Sequence, residues 1–192
     1  VLKREEGVVI NETFEGVVST LTPSGKSLTL NAVTDYPAGD KYALAVFLEE
    51  SEEFDILVRI PEWCDEATLT VGDEMKKVYP GYVSLKRVWS DGDTVELTLP
   101  HHLKSHHLNG KVAYTYGPLV LARDSKKENG DITGEINPTE QSAFRLLDTE
   151  EGETLRLMLE CEGEDVLLTD YASCGKYWND HSAKVNVWLN AK

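Results

Sequence analysis

The sequence predicts an all-β protein: an antiparallel β-sandwich, jelly-roll-like or immunoglobulin-like, with little or no helix. Apolar and polar residues alternate with period 2, as in half-buried strands, from end to end of the 192 residues. Turn residues separate the alternating runs at intervals of about 8–12 residues, the spacing of sandwich strands. No stretch of useful length has a helical period, and the best candidate, residues 139–147, is expected to form one or two turns.

The individual strands follow from this alternation. In residues 54–60, Phe54 and Ile56 share one face, whereas Asp55 is expected to face solvent on the other. Runs of this kind occur at 28–32, 54–60, 67–71, 94–99, 112–116, 155–159 and 185–189. Together with 17–21 and 82–88, they predict a sandwich of roughly a dozen strands.

Glycine and proline punctuate these runs. Residues 90–93, Ser-Asp-Gly-Asp, join the strand ending near Trp89 to the strand at 94–99. The Asp-Gly pair supplies the positive φ that a tight hairpin needs, so a hairpin is predicted there. Pro61 and Pro100 are each expected to end a strand, because proline cannot donate the next ladder hydrogen bond.

One long shift in composition predicts the domain organisation. Residues 124–141 are polar, contain two glycines and one proline, and are expected to form a loop. We therefore predict a β-sandwich domain at 1–123, a loop at 124–141 and a C-terminal β segment at 142–192. Because a segment of about 50 residues is marginal as an independent domain, it is expected to pack on the first part.

Charge and hydropathy exclude several classes of partner. The 34 acidic residues against 19 Lys and Arg give a formal net charge of −15, the wrong sign for nucleic acid or an anionic membrane surface. No apolar run approaches the roughly 18 residues of a membrane span. Neutral ligands such as sugars remain open. The chain begins at Val1 without an initiator methionine or a signal peptide, so we expect a segment of a longer protein.

The cysteines indicate neither a disulfide framework nor a thiolate metal site. Cys64, Cys161 and Cys174 are odd in number and far apart, and no Cys-x-x-Cys pair occurs. We predict isolated, mostly buried thiols, no metal and no cofactor in this segment. Such thiols favour a reducing compartment, and a bacterial cytoplasm is the predicted location.

A sugar-stacking platform is the best site candidate that the residues themselves suggest. Tyr177, Trp178 and Asn179 fall in a predicted loop and combine two aromatic rings with a polar side chain. Weaker candidates are Tyr36, Tyr79 and Tyr82. The competing interpretation is that large aromatics pack in the core, which we expect for Trp63, Trp89 and Trp188 and which is also open for Trp178.

Other reactive side chains carry less information. His101, His102, His106 and His107 follow the strand-ending proline and are predicted to lie in an exposed loop, either without metal or as an adventitious metal site. Acidic residues are so abundant that a pair at any chosen spacing is uninformative, and calcium binding by loop carboxylates stays open. Arg59 either pairs with an acid across the sheet or extends towards a missing domain.

Short motifs occur in a characteristic order along the first two thirds of the chain. They are residues 33–37, Arg-Ile-Pro-Glu-Trp at 59–63, Gly-Tyr at 81–82, Arg-Val-Trp at 87–89, Gly-Asp-Thr-Val-Glu-Leu-Thr-Leu-Pro at 92–100 and Gly-Pro-Leu-Val at 117–120. Each is weak alone, but the ordered set resembles the C-terminal β-sandwich region of the β-L-arabinofuranosidase family, glycoside hydrolase family 127, and its relatives. The resemblance covers residues 33–123, and 168–178 is similar to C-terminal segments of related proteins.

The resemblance implies an accessory role rather than a catalytic one. In the family, catalysis resides in an upstream (α/α)₆ barrel, at a zinc site of one glutamate and closely spaced cysteines, one of them the nucleophile. No adjacent cysteines occur here, so no catalytic residue can be transferred. The expected partner is that barrel in the same polypeptide. Two alternatives stay open: a carbohydrate-binding module at Tyr177 and Trp178, and an interaction or dimerisation module that supports a homodimer of the parent.

Overall fold

The computed structural model describes residues 1–128, 132–138, 143–175, 178 and 182–191, which divide into two compact units, Val1–His101 and His102–Lys192. The strands of the first unit are β1 (Leu2–Arg4), β2 (Gly7–Ile10), β3 (Gly16–Leu21), β4 (Ser27–Thr34), β5 (Lys41–Leu48), β6 (Glu52–Ile60), β7 (Ala67–Val71), β8 (Glu74–Val78), β9 (Gly81–Trp89) and β10 (Thr94–Thr98). Those of the second unit are β11 (Leu103–Leu108), β12 (Lys111–Tyr116), β13 (Leu119–Asp124), β14 (Phe144–Leu146), β15 (Arg156–Leu159), β16 (Val166–Asp170), β17 (Val185–Asn186) and β18 (Leu189–Asn190).

The predicted all-β class is confirmed. Within the described residues, the one helical element is a single 3₁₀ turn, Tyr171–Ser173. The helical turns predicted for 139–147 are wrong where the chain is described, because Phe144–Leu146 pairs with β15 as a strand; residues 139–142 lie outside the described residues. No helix among the described residues has the length and apolar character to cross a membrane.

The first unit is a two-layer sandwich. One sheet has the order β1-β2-β6-β9 and the other β3-β4-β5-β10-β7-β8. All ladders are antiparallel except that of β2 and β6. Alternate side chains of the two sheets meet in one buried apolar cluster, in which Trp89 is fully buried and donates its indole N–H to the Phe54 carbonyl at 3.1 Å. Burial of this apolar surface is the main stabilising contribution.

The turn at 90–93 corrects the predicted hairpin. Gly92 has the expected positive φ of 83°, but β9 lies in the four-stranded sheet and β10 in the six-stranded sheet. The turn therefore carries the chain from one layer to the other, and its backbone bonds to Val46 of β5 at 2.8 Å. A positive φ permits a sharp reversal, but it does not determine which strands pair.

The second unit is built around one eight-stranded sheet with its own apolar cluster. Six strands follow the order β11-β12-β13-β16-β15-β14, and β17 and β18 pair with β13 and β12. Asn109 and Gly110, with φ values of 50° and 71°, close the β11–β12 hairpin, as a type I′ turn requires. The predicted strand at 185–189 is wrong as one element, because the chain forms two short strands with different partners.

The division between the units differs from the predicted boundary after residue 123. Strands β12 and β13 pair with β16, β17 and β18, so residues 111–124 share a sheet with the C-terminal part. The boundary accordingly lies between His101 and His102. Composition located the polar segment that follows β13, but strand pairing decides to which unit β12 and β13 belong. That residues 142–192 pack on the first part stays a prediction.

Candidate functional site

The predicted sugar platform lies only partly within the described residues. Tyr177 and Asn179 are outside them, whereas Trp178 is described and half-buried. The Trp178 indole N–H points at the Asp124 carboxylate, 3.2 Å from each of its oxygens. Gly175 lies next to the ring: a Cβ added there would be 3.6 Å from the nearest ring atom. Contacts within the protein therefore occupy the N–H edge of the Trp178 ring and part of one of its faces.

The Asp124 carboxylate, at the end of β13, accepts several hydrogen bonds in addition to that of Trp178. The residue is 3% exposed, and its carboxylate accepts the backbone N–H groups of Lys126 at 2.9 Å and Gly175 at 3.3 Å. A buried carboxylate is tolerated because such donors replace its hydration. Asp124 thus ties Gly175 and Trp178 to the end of β13. The described geometry gives no support to a carbohydrate-binding module at this tryptophan.

A second buried carboxylate organises the neighbouring turn. One oxygen of Asp170 accepts the N–H groups of Thr154 and Leu155 at 2.9 and 3.0 Å. The other accepts the N–H of Ser173 at 3.0 Å and its hydroxyl at 2.6 Å, capping the 3₁₀ turn. Because hydrogen-bond donors occupy both oxygens, Asp170 has a structural role.

The three tryptophans predicted to lie in the core differ in burial. Trp89 is buried as expected, and Trp63 is partly buried against the same core. Trp188 is 40% exposed, so its assignment to the core is wrong. It lies between the short strands β17 and β18, where no continuous ladder turns alternate side chains inwards.

The predicted histidine loop is correct for His101 and His102, which precede β11, and wrong for His106 and His107, which are exposed but lie in a strand. His106 and His107 lie in β11, on opposite faces because they are adjacent in sequence. His106 Nε2 lies 3.1 Å from the Thr115 hydroxyl and His107 Nε2 lies 3.3 Å from the Ser105 hydroxyl. No group of three or more His, Cys, Asp or Glu side chains within the described part of the chain is placed to hold a metal ion.

Cys64, Cys161 and Cys174 form no disulfide with one another in the described part of the chain. Cys64 is buried in the core of the first unit. Burial raises the pKa of the Cys161 thiol and that of the Cys174 thiol above the ordinary value. A raised pKa lowers the thiolate fraction at neutral pH, which makes these thiols poor nucleophiles.

An aromatic group lies where β6 and β10 end. The rings of Tyr36 and Trp63 stack with centroids 6.4 Å apart, and the His101 ring meets Trp63 edge-on at 5.2 Å. Burial, with a smaller contribution from the nearby Glu12 carboxylate, raises the pKa of Tyr36. Because these rings pack against one another, we assign them to the packing of this end of the sandwich.

Beside this group, polar side chains pair across the four-stranded sheet. Arg59 forms an ion pair with Glu12 at 3.1 Å, in agreement with the first of the two alternatives, pairing with an acid. Contact of Arg59 with a further domain stays a prediction. Tyr82, opposite Arg59 in the ladder, is 55% exposed and donates its hydroxyl to the Asn11 side-chain oxygen at 2.5 Å. Tyr79 is also exposed. Exposed ring surface is present here, but no cleft encloses it among the described residues.

Asp55, expected to face solvent, is only 8% exposed. It does lie on the outward side of β6, but the parallel neighbour β2 brings Gly7 so close that a Cβ there would be 1.8 Å from the Asp55 carbonyl oxygen. The carboxylate accepts the Ser84 hydroxyl at 2.8 Å. Alternation predicted the side of the sheet correctly, but not that the residue lies on a central strand, between β2 and β9.

The outer side of the six-stranded sheet carries the most unusual surface of the first unit. Neighbouring outward side chains of β3, β4 and β5 form what we call the flat face: Val17, Asn31, Val33, Ala43, Ala45 and Phe47. All are uncharged, and Val17 and Val33 are 65% and 61% exposed. A shallow depression of about 570 Å³ opens beside Val33 and Ala43 and is bordered by the charged residues Asp35, Lys41 and Glu96. This surface suits a contact between proteins rather than a small ligand.

Comparison with known proteins associates this architecture with one family. Residues 13–101 match the model described as β-L-arabinofuranosidase, GH127 middle domain. No curated protein matches the chain. The end of the match at 101 coincides with the boundary of the first unit. The description "middle domain" departs from the predicted C-terminal placement.

Solved structures extend the likeness to the whole chain. A GH127 β-L-arabinofuranosidase from Geobacillus stearothermophilus T6 has a TM-score of 0.83 at 20% identity, over 100% of this chain and 34% of its own. A GH127 β-arabinofuranosidase gives 0.81 at 19% identity, over 97% and 35%. A further glycoside hydrolase gives 0.72 at 24% identity, over 91% and 34%. The chain thus spans about a third of the solved chains it matches and shares the fold of the part that it covers. Its residues 13–101 resemble the GH127 middle domain.

Proposed function

We propose that the chain is a non-catalytic accessory region of a glycoside hydrolase of the GH127 type, and that it supports a catalytic barrel in the same polypeptide. The observation that carries this proposal is the match of residues 13–101 to the GH127 middle-domain model, ending where the first unit ends. The fold likeness to about a third of two GH127 chains supports it, because a region of that size is one part of a larger enzyme.

The chemistry of the described side chains is consistent with an accessory role. The buried carboxylates of Asp124 and Asp170 are occupied by backbone and side-chain donors, and Glu153 is paired with Lys127 at 2.5 Å. The oxygens of these carboxylates are used as acceptors that connect turns of the fold, which is a structural use. The three cysteines stand at 64, 161 and 174, without the close spacing that the family resemblance associates with catalysis.

The substrate of the parent enzyme follows only by analogy. The family resemblance implies removal of a terminal β-L-arabinofuranosyl group with retention of configuration, through the cysteine of the barrel. A shared fold does not determine activity, so substrate and linkage must be measured on the complete polypeptide.

The test compares two proteins made from the same coding region: the complete polypeptide and the 192-residue chain. We expect the complete polypeptide to hydrolyse an aryl β-L-arabinofuranoside and the 192-residue chain to show no turnover above buffer. Turnover by the 192-residue chain at a comparable rate would refute the accessory role. A complete polypeptide without a helical barrel would refute the assignment to a GH127-type enzyme.

A further inference from the structure

We propose that the flat face of the six-stranded sheet is the surface on which the helical barrel of the parent polypeptide docks. This inference rests on the proposed function and deepens it by naming the contact surface. Its partner is an apolar helical surface of the same polypeptide, and its evidence is the composition, exposure and size of the face.

The composition of the flat face differs from that of an ordinary solvated sheet. Charged residues make up 28% of the chain, yet the neighbouring outward positions Asn31, Ala43 and Ala45 carry none. The nearest charges, Asp35, Lys41 and Glu96, stand at one border. Depletion of charge at the centre with polar side chains at the rim is typical of protein interfaces.

The shape of the face also suits a contact with helices. The small side chains of Ala43 and Ala45 make a shallow depression along β5. The larger side chains of Val17, Val33 and Phe47 surround it. Phe47 is 41% exposed, a large apolar area to leave in water. The whole outward side of the three strands, which extends past the flat face to Ser19 and Thr29, covers about 300–400 Å² at a strand spacing of about 4.8 Å. Interfaces between domains of one chain bury about 300–750 Å² on each side, so this side of the sheet reaches the lower end of that range.

The opposite face of the sandwich lacks these properties. The outward positions of β6 and β9 include Glu53, Asp55, Arg59 and Lys86 among their side chains. Val88 there is 53% exposed but stands opposite Glu53 in the ladder. An apolar partner would have to desolvate these charges, which is costly. The two faces of one sandwich thus provide a test surface and a matched control surface.

The occupant is argued from the length of chain outside this structure. The chain accounts for 34–35% of the two GH127 chains it resembles, and the matching model is described as a middle domain. About two thirds of such a polypeptide therefore remains to cover an exposed apolar face. A second copy of this chain is the competing occupant, and it is distinguished by the experiment below.

The test measures thiol labelling on the two faces. In a background with Cys161→Ser and Cys174→Ser, where the remaining Cys64 is buried, single substitutions Val33→Cys, Ala45→Cys and the control Val88→Cys are made. Each is made in the dilute 192-residue chain and in the complete polypeptide. The rate of maleimide labelling is measured at the introduced cysteine alone, by mass spectrometry of the peptide that contains it, so that cysteines elsewhere in the complete polypeptide do not contribute. We expect labelling at 33 and 45 to be at least tenfold slower in the complete polypeptide, and labelling at 88 to be unchanged.

Every other outcome overturns the docking proposal. Equal rates at 33 and 45 in both proteins would show an uncovered face, and slowing at 88 alone would assign docking to the opposite face. Protection that depends on the concentration of the 192-residue chain would assign the face to a second copy, and protection already complete in the dilute chain would leave nothing for the barrel to cover. The proposed function fails separately, through a complete polypeptide that has no barrel or no glycosidase activity.

Discussion

The two units of this chain bury polar groups very differently. In the first unit the core cluster is apolar, and its buried polar residues are few, such as Thr22 and Asp55. In the second unit Asp124, Asp170 and Ser173 are buried and hydrogen-bonded to backbone groups. The first unit is therefore held mainly by packing between two sheets, and the second by a smaller core together with carboxylates that connect its turns. The changes below test this contrast, beginning with the largest expected effect.

Trp89→Ala should cause the largest loss, and in the first unit. The side chain fills the space between the sheets and donates to the Phe54 carbonyl, so its removal leaves a cavity and an unpaired acceptor. We expect the free energy of unfolding to fall by about 3–5 kcal/mol. Hydrogen exchange of first-unit amides measures it. The neighbouring exposed Val88→Ala is the control and should change stability by less than about 0.5 kcal/mol.

Asp170→Asn should destabilise the second unit and leave the first unchanged. The new amide N–H₂ would face donors on Thr154, Leu155 or Ser173, so at least one buried donor loses its acceptor. The expected loss is about 1–3 kcal/mol, measured by hydrogen exchange of β15 and β16. Asp165→Asn, at an exposed carboxylate, should have little effect. A loss confined to the first unit would contradict the contrast.

Tyr42→Phe should leave the first unit as stable or make it more stable, by up to about 1 kcal/mol. The hydroxyl is buried in the apolar core and has no hydrogen-bond partner among the described residues. Thermal unfolding measures the change. In the control Tyr82→Phe, loss of the exposed hydrogen bond to Asn11 should lower stability slightly. Clear destabilisation by Tyr42→Phe would show that the hydroxyl is satisfied in the folded protein.

Alkaline pH should produce the smallest effect, first in the second unit. Burial raises the pKa values of Cys161 and Cys174, so the folded state keeps thiol protons that the unfolded state releases above about pH 9. Their stabilising contribution is complete below the unfolded pKa and declines as pH rises through the folded pKa. We expect a decline in second-unit stability between pH 8 and pH 10, and a shallower decline after Cys161→Ser and Cys174→Ser. An identical slope in the double variant would contradict this cause.

The fold was predictable where alternation is regular and the ladder is long. Residues 67–71 were predicted as a strand and form β7, and 54–60 lie within β6. Pairing was less predictable, because the residues at 90–93 only allow a reversal, while packing of two sheets decides where the chain goes. One available signal was missed: Asn109-Gly110 is a strong hairpin sequence, and it identifies β11 and β12.

The candidate surfaces were less predictable than the fold. Trp178 and Asp124 are 54 positions apart, and only the folded chain shows that they bond. The flat face depends on strand order: β10 lies beside β5, so Glu96 borders Ala43 although the two are distant in sequence. Alternation assigned each residue to one side of a strand, but it did not show which strands are neighbours.

The chain is proposed to support the catalytic barrel through the flat face. This proposal is tested most directly by introducing one glutamate on each face of the first unit. Val33→Glu on the flat face and Val88→Glu on the opposite face are compared in the complete polypeptide and in the 192-residue chain, by thermal unfolding and by glycosidase activity. We predict that Val33→Glu lowers the unfolding midpoint and the activity of the complete polypeptide, while Val88→Glu does not and the 192-residue chain tolerates both. Equal behaviour of the two variants in the complete polypeptide would contradict a supporting contact through the flat face.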